Sequence, residues 1–298
     1  MPRLIIFDMN NLIYRSHHGV PEMRRADGAL TNATYGTING ILKVQDLLKP
    51  THWVAVFDNA EGLPGWRKKI DPTYKSNRKP LEGHVAKQFI FVREACDVLG
   101  IVRDERKNQE ADDLIASYVN TFKSKPGMEI FIVSSDKDIL QLVSDDNTGK
   151  VTVFDAMKSK IIKPADVIAV RGIESKYISC FLAFTGDIAD CIKGTPGIGK
   201  KTAAILINRF GDDYDAMLAA DDLPKGLKKR LKSGQISYEH ALQLTTMNKD
   251  IKLKYKLVDL KVKVYDRQLL LKFLKSMSFN SIITRLKLDS KPVKSLFM

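Results

Sequence analysis

Sulfur and imidazole are scarce in this sequence. Three cysteines, Cys96, Cys180 and Cys191, stand far apart in 298 residues. Their odd number and the lack of a CxxC pair argue against a disulfide framework or a zinc knuckle, and they read as small buried apolar side chains. The histidines His17, His18, His52, His84 and His240 show neither HxxxH nor HExxH spacing, so no zinc site is indicated. Long apolar runs are missing too: hydrophobic residues make up 44% of the chain, yet no run approaches the roughly 20 residues that span a bilayer. The opening MPRLIIFD starts a strand at once and lacks the apolar core and cleavage site of a signal peptide. The expectation is a soluble, cytoplasmic protein without a membrane partner.

Acids are outnumbered, 35 against 48 Lys and Arg, for a net charge of +13. Such a surplus favours a polyanionic partner, nucleic acid or an acidic membrane surface, although it also serves solubility alone. There is no repeat of fixed period and no long low-complexity tract, but Leu253 to Leu274 is rich in Lys and Leu.

What is present is an alternation. Short apolar, β-branched runs, Leu4 to Phe7, Trp53 to Phe57, Ile130 to Ser134 and Val151 to Phe154, lie between stretches such as Tyr35 to Leu48 and Val85 to Leu99 with helical spacing. This predicts an α/β fold with a parallel central sheet and flanking crossover helices, each strand buried on both faces. From about Lys163 onward strand-like runs thin out, and short helical pieces follow, punctuated by GTPGIGKK, DDLPKG and KSGQ.

The acids are few but concentrated. Asp8 and Asp58 end the first two strands, Asp136 and Asp138 follow IFIVSS, and EADD (Glu110, Asp112, Asp113) opens a helix. Residues beyond the carboxyl ends of parallel strands converge on one edge, where ligands bind. GDIAD adds Asp187 and Asp190, on one face if the segment is helical. Within EADD, Asp112 is the weaker member, because positions 110 and 113 share a helix face that 112 does not. Each acid alone reads more readily as a cap or loop residue; their joint placement points to metal. Nine hard oxygen donors without His or Cys suit Mg²⁺ or Mn²⁺, and two such ions about 3.5 to 4 Å apart are the recurrent device for phosphodiester cleavage.

Between Asp58 and Glu110 the insertion GWRKKIDPTYKSNRKPLEGHVAK carries Arg67, Lys68, Lys69, Lys75, Arg78, Lys79 and Lys87 against only Asp71 and Glu82. Placed between two acidic segments, it would form a positive loop or arch over the metals, with Trp66 or Tyr74 stacking on a base. Lys75 and Arg78 are the choices for the scissile phosphate. GTPGIGKKT nearly satisfies the P-loop pattern, but Lys201 stands where a Ser or Thr would hold Mg²⁺. It reads instead as a tight glycine turn between short helices, whose Gly197, Ile198 and Gly199 amides, with Lys200 and Lys201, cradle a backbone phosphate without reading bases.

FDMNNLIYR (Asp8 and Arg15), VFDN (Asp58), YKSNR, EADD, SSDKD and GDIADCIKGTPGIGKKTA, in this order, resemble the flap endonuclease and phage-type 5′-exonuclease family, which includes the 5′ nuclease domain of bacterial DNA polymerase I. The resemblance covers most of the chain. It implies a PIN-like parallel sheet, a helical arch and a helix-three-turn-helix region that holds duplex DNA. It divides the chain into a nuclease core over residues 1–165, with the arch at about 62–95, and a helical region over 166–298, with the hairpin at about 181–210. It assigns one metal to Asp8, Asp58, Glu110, Asp112 and Asp136, and the second metal or its surroundings to Asp113, Asp138, Asp187 and Asp190. Lys75 and Arg78 would steer the phosphate, while Arg15, Arg67, Lys68, Tyr74 and the Gly197–Lys201 turn would meet DNA, the turn also offering a place for K⁺.

The implied activity is structure-specific 5′ nuclease action on DNA ends and flaps, leaving a 5′-phosphate and a 3′-hydroxyl, in phage or bacterial replication and repair. Implied partners are flap or junction DNA, an RNA–DNA primer hybrid, and a sliding clamp or single-strand-binding protein; the chain is expected to be a monomer. The family commonly has Asn and then a Pro-Gly pair after the second Asp of the GD segment, where this chain reads Cys191, Ile192, Lys193 and Gly194. The ending SLFM is read as a flexible tail in preference to a clamp-docking peptide. Two rivals remain: a PIN-like ribonuclease, which would need neither the glycine turn nor so long an insertion, and a non-catalytic DNA-binding replication protein.

Overall fold

The computed structural model describes residues 1–59, 65–78, 82–147 and 149–289. Along the chain come β1 (Arg3–Asp8), α1 (Met9–Gly19), α2 (Asn32–Leu48), β2 (His52–Val56), α3 (Trp66–Ile70), α4 (Gly83–Val98), β3 (Val102–Asp104), α5 (Ala111–Phe122), β4 (Glu129–Val133), β5 (Ser144–Asp146), β6 (Gly149–Asp155) and β7 (Lys160–Ile162). Seven helices follow: α6 (Pro164–Arg171), α7 (Ile178–Thr185), α8 (Lys200–Phe210), α9 (Tyr214–Ala219), α10 (Lys225–Thr245), α11 (Arg267–Ser276) and α12 (Asn280–Arg285). The four strands expected from the apolar runs are β1, β2, β4 and β6. The tail KPVKSLFM and parts of the arch expectation, including Lys79, lie outside the described residues.

The sheet runs β3-β2-β1-β4-β6-β5, with β7 also pairing β6. β1 pairs in parallel with β2 and β4, as do β2 with β3 and β4 with β6; β5 and β7 lie antiparallel to β6. Continuous apolar strands suit a sheet covered on both sides, and β1 shows this directly. Leu4 and Ile6 pack in a core with α5, α7, α8 and α10, whereas Ile5 and Phe7 pack on the opposite face with α1, α2 and α4. The last helices, α11 and α12, return to that second face, where Leu270, Phe273, Phe279 and Ile282 complete the core. Among the described residues no helix is long and apolar enough to cross a membrane.

From β1 the chain lays β2 on one side and β4 on the other, so the strand order reverses at this central pair. A crevice opens beyond the carboxyl ends of strands at such a switch point, and the acidic segments emerge there.

Candidate metal centre and nucleic-acid interface

Asp8, Asp58, Asp112 and Asp136 line a cleft of about 710 Å³ beyond β1 and β2, together with Lys75, Arg78, Tyr14 and Arg15. Capping and clustering coexist here. Asp8 Oδ1 accepts the Asn11 amide in the first turn of α1, and its Oδ2 accepts the Ser134 hydroxyl at 2.7 Å. Asp58 Oδ1 accepts the Ala111 amide at 2.7 Å and so caps α5. Asp136 Oδ1 accepts the Asp138 amide at the start of a 3₁₀ turn, not of an α-helix. Sequence reasoning missed the frame behind these acids. Asn10 Oδ1 accepts the Asp58 amide, and Asn11 Oδ1 accepts both the amide and the hydroxyl of Ser135. The adjacent asparagines of FDMNN thereby tie the ends of β1, β2 and β4 together.

Burial and mutual repulsion disfavour ionisation here. Desolvation, opposed by hydrogen bonds and reinforced by Asp136 and Asp58, pushes the Asp8 carboxyl up to about 7. Burial also raises Asp58 and drives Asp112 well above the usual range, with the charges of Asp136 and Asp8 adding to the latter. The nearby cations are drawn to other acids: Lys75 bonds to Glu110 and lies 3.8 Å from Asp190, and Arg78 reaches Asp190 at 2.8 Å. Glu110 is the exception in direction. Burial would raise it, but Lys75 and Arg67 together hold it below its ordinary value.

A second cluster adjoins the first. One carboxylate oxygen from each of Asp138, Asp187 and Asp190 lies within 4.8 Å of the others. Helical spacing does not bring Asp187 and Asp190 together. α7 ends at Thr185, and a tight loop closes by paired backbone bonds between Asp187 and Ile192. Burial, then Asp136 and Asp187, pushes Asp138 up to about 7. Asp138 Oδ1 is buried without a hydrogen-bond partner, while Lys137 reaches Asp187 at 2.7 Å. A buried acceptor without a donor is costly, and the close oxygen donors of Asp138, Asp187 and Asp190, beside a cleft lined by four further aspartates, fit hard divalent cations.

The expectation for EADD is reversed by the structure. Asp112 faces the cleft, whereas Asp113 is fully buried and held by both terminal nitrogens of Arg67 at 2.8 Å, by the Trp66 indole and by the Asn248 amide. In the first turn of α5, position 113 points toward α3 and the end of α10, and 112 toward the sheet edge. Asp113 is therefore neutralised inside the protein and removed from the metal set. Arg67, also buried, bonds the Leu244 and Thr246 carbonyls as well and is not a DNA contact. Tyr74 is likewise buried, its hydroxyl donating to Glu110, which leaves no face for a base. Lys68 is half-buried on α3, and Arg15 stands on the cleft wall 3.8 Å from Asp155.

The glycine turn joins α7 to α8. Gly197 has φ +73° and Gly199 caps α8, with Lys200 and Lys201 exposed beside it. Ile198 is an anchor and not part of a phosphate cradle: its side chain is buried, and its amide donates to Thr195. The residues that depart from the family pattern form the tight loop, with Cys191 in the left-handed region at φ +59°. A Cβ on Gly194 would lie 2.4 Å from the Gly186 nitrogen, so the two loop strands can approach only with glycine there.

Residues 3–172 match the family described as 5′-3′ exonuclease, N-terminal resolvase-like domain, and residues 173–268 match 5′-3′ exonuclease, C-terminal SAM fold. DNA polymerase I of Caldicellulosiruptor bescii is 33% identical over 289 residues, 96% of this chain but 34% of that protein. The chain thus spans about a third of the length of the polymerase it matches. Flap endonuclease Xni of Psychromonas ingrahamii is 32% identical over 260 residues, 87% of this chain and 96% of that one. The solved structure of T5 5′-exonuclease with bound divalent zinc shares the fold, with TM-score 0.65 over 93% of this chain and 98% of that one at 21% identity. This chain belongs to the 5′-3′ exonuclease family.

Proposed function

We propose that the chain is a structure-specific 5′ nuclease acting on DNA at 5′ ends, flaps and junctions, in replication and repair. The observation that carries this reading is the pair of adjoining carboxylate clusters at the sheet's switch point, with Lys75 and Arg78 beside them. Asp8, Asp58, Glu110, Asp112 and Asp136 would hold one Mg²⁺, and Asp138, Asp187 and Asp190 a second, with Mn²⁺ as a substitute. Bound there, two divalent ions supply an activated water and stabilise charge on the attacking and leaving oxygens.

The protein's own groups do the positioning. Lys75 and Arg78 are already held at the cleft by Glu110 and Asp190, and exchanging those carboxylates for a phosphate oxygen places the scissile phosphodiester over the acids. Arg15, on the cleft wall, would steer a neighbouring phosphate, and Lys68 on α3 is proposed as a further backbone contact. Gly197, Gly199, Lys200 and Lys201 of the glycine turn grip the duplex backbone, and the turn would also hold K⁺. The division near residue 165 would then run through the metal centre, since the sheet region carries the acids up to Asp138 while the helical region carries Asp187, Asp190 and the glycine turn. An RNA–DNA primer hybrid is a second substrate of the same shape, and a sliding clamp or single-strand-binding protein the expected replication partner, in bacterial or phage-infected cytoplasm.

The test is cleavage of end-labelled 5′-flap, nicked-duplex and single-stranded RNA substrates with Mg²⁺ or EDTA. Mg²⁺-dependent cutting at the flap junction, giving 5′-phosphate products, is expected. Preferential RNA cleavage would replace this reading with a PIN-like ribonuclease. Tight flap binding without cutting in any divalent metal would replace it with a non-catalytic DNA-binding role.

A further inference from the structure

The Lys- and Leu-rich stretch after α10 takes no part in the site described above. From Thr246 to Lys256 the chain is free of helix and strand, and its side chains alternate. Ile251, Leu253, Tyr255 and Leu257 pack against the core beside α5, while Lys252, Lys254 and Lys256 are exposed on the other side. Lys249 precedes them and Lys261 and Lys263 follow, all exposed. Among the described residues none of the six makes an ion pair, and the acids of the segment are only Asp250 and Asp259.

Hydrogen bonds fix the path of this row. The Asn248 amide bonds Asp113 in the first turn of α5, Ile251 bonds Ser117, and Asn120 reaches the Lys249 carbonyl. Lys261 then bridges His52, and Val262 bonds Thr51 at the start of β2. The row therefore begins near the acidic edge, descends along α5 and ends at the opposite edge of the sheet. Against it lies a groove of about 600 Å³, lined among others by Asn120, Lys125, Lys249, Lys252, Tyr255 and Lys256.

We infer that this row is a second nucleic-acid contact, a track for a single strand. Lys249, Lys252, Lys254 and Lys256 follow one another at every second or third residue along a chain that bends at Lys254 and Tyr255, so positive charge recurs at short intervals beside the groove, complementary to a backbone that carries a charge at every nucleotide. Tyr255, half-buried on the groove wall, holds Lys254 5.1 Å from its ring centre and so keeps that charge beside the groove. A single strand is flexible enough to follow the ridge from the acidic edge, where a stiff duplex is not.

The experiment compares wild type with the triple variant Lys252→Glu/Lys254→Glu/Lys256→Glu. Binding to a fluorescent oligothymidylate of roughly 30 nucleotides, chosen to exceed the ridge at about 3.4 Å per nucleotide, is measured in EDTA across a KCl series. Each lost phosphate contact flattens the slope of log K against log[salt] by about 0.7 for a single strand, so a loss of roughly 2 slope units is expected. The alanine triple variant should show the same direction, and a variant with reversals scattered at Lys160, Lys272 and Lys275 should change the slope by less. A cooperative thermal unfolding transition like that of wild type reports that the variants are folded. An unchanged slope in the track variant, or an equal loss in the scattered one, would overturn the inference; in the first case, binding of an acidic protein by wild type alone would reassign the row to protein recognition. Since binding is read in EDTA, failure of the nuclease reading leaves this outcome distinct.

Discussion

Burial holds protons on carboxyls that a metal ion would take away. Ordinary aspartates ionise near 3.8, but in the fold Asp8 and Asp138 are pushed up to about 7, first by desolvation and then by neighbouring carboxylates. Between about pH 4 and pH 7 the metal-free folded state thus binds more protons at these positions than the unfolded chain. Their contribution to stability is therefore present at low pH and is lost as pH rises through that window. A divalent ion competes with the same protons. Adding Mg²⁺ should raise Tm by more at pH 8 than at pH 6, as measured by thermal unfolding; an equal rise at both would mean that these acids are not its ligands. At the same scale, Lys75 can assist only where charge develops. Lys75→Ala should lower the single-turnover rate on the order of 100-fold, as loss of one preorganised charge does, while Kd for the flap changes little. Loss of affinity with an unchanged single-turnover rate would make Lys75 a contact of the bound substrate alone, with no part in stabilising the developing charge.

At the scale of elements, Arg67 joins three of them. Its guanidinium on α3 bonds Asp113 on α5 and carbonyls at the end of α10. Removing one partner of a buried ion pair costs about 3–5 kcal/mol, because the other charge is left unpaired. Asp113→Ala and Arg67→Ala should each lose stability of that order in urea unfolding, and the double variant less than their sum. Asp113→Ala with unaltered stability but no cleavage would return Asp113 to the metal set. The long elements were legible in the sequence because continuous apolar strands and amphipathic helices have strong periodicity. The pairing of Arg67 with Asp113 was not, since it joins residues 46 apart and the rotation of the first turn of α5 depends on what α10 presents. Likewise, Asp187 and Asp190 were found for the right residue type through the wrong geometry. Their closeness comes from a loop closed on itself, which helical spacing could not reveal.

Over the whole molecule, a chain of net charge +13 gathers eight of its acids at one edge of its sheet. The alternation of strands and helices gave the parallel sheet and hence that edge. It gave neither the return of α11 and α12 to the face opposite α5 nor the short strands β3, β5 and β7, whose three-residue lengths leave no period to read. The central claim is that these clustered carboxylates hold the ions required for cleavage. Its most direct test is Asp136→Asn, which removes a charge from the cleft with little change in shape. The measurement is single-turnover cleavage of a 5′-flap substrate across a Mg²⁺ titration, beside flap binding in EDTA. The account predicts that Asp136→Asn binds the flap as wild type does and fails to cut it at any Mg²⁺ concentration; cleavage at the wild-type rate would contradict it.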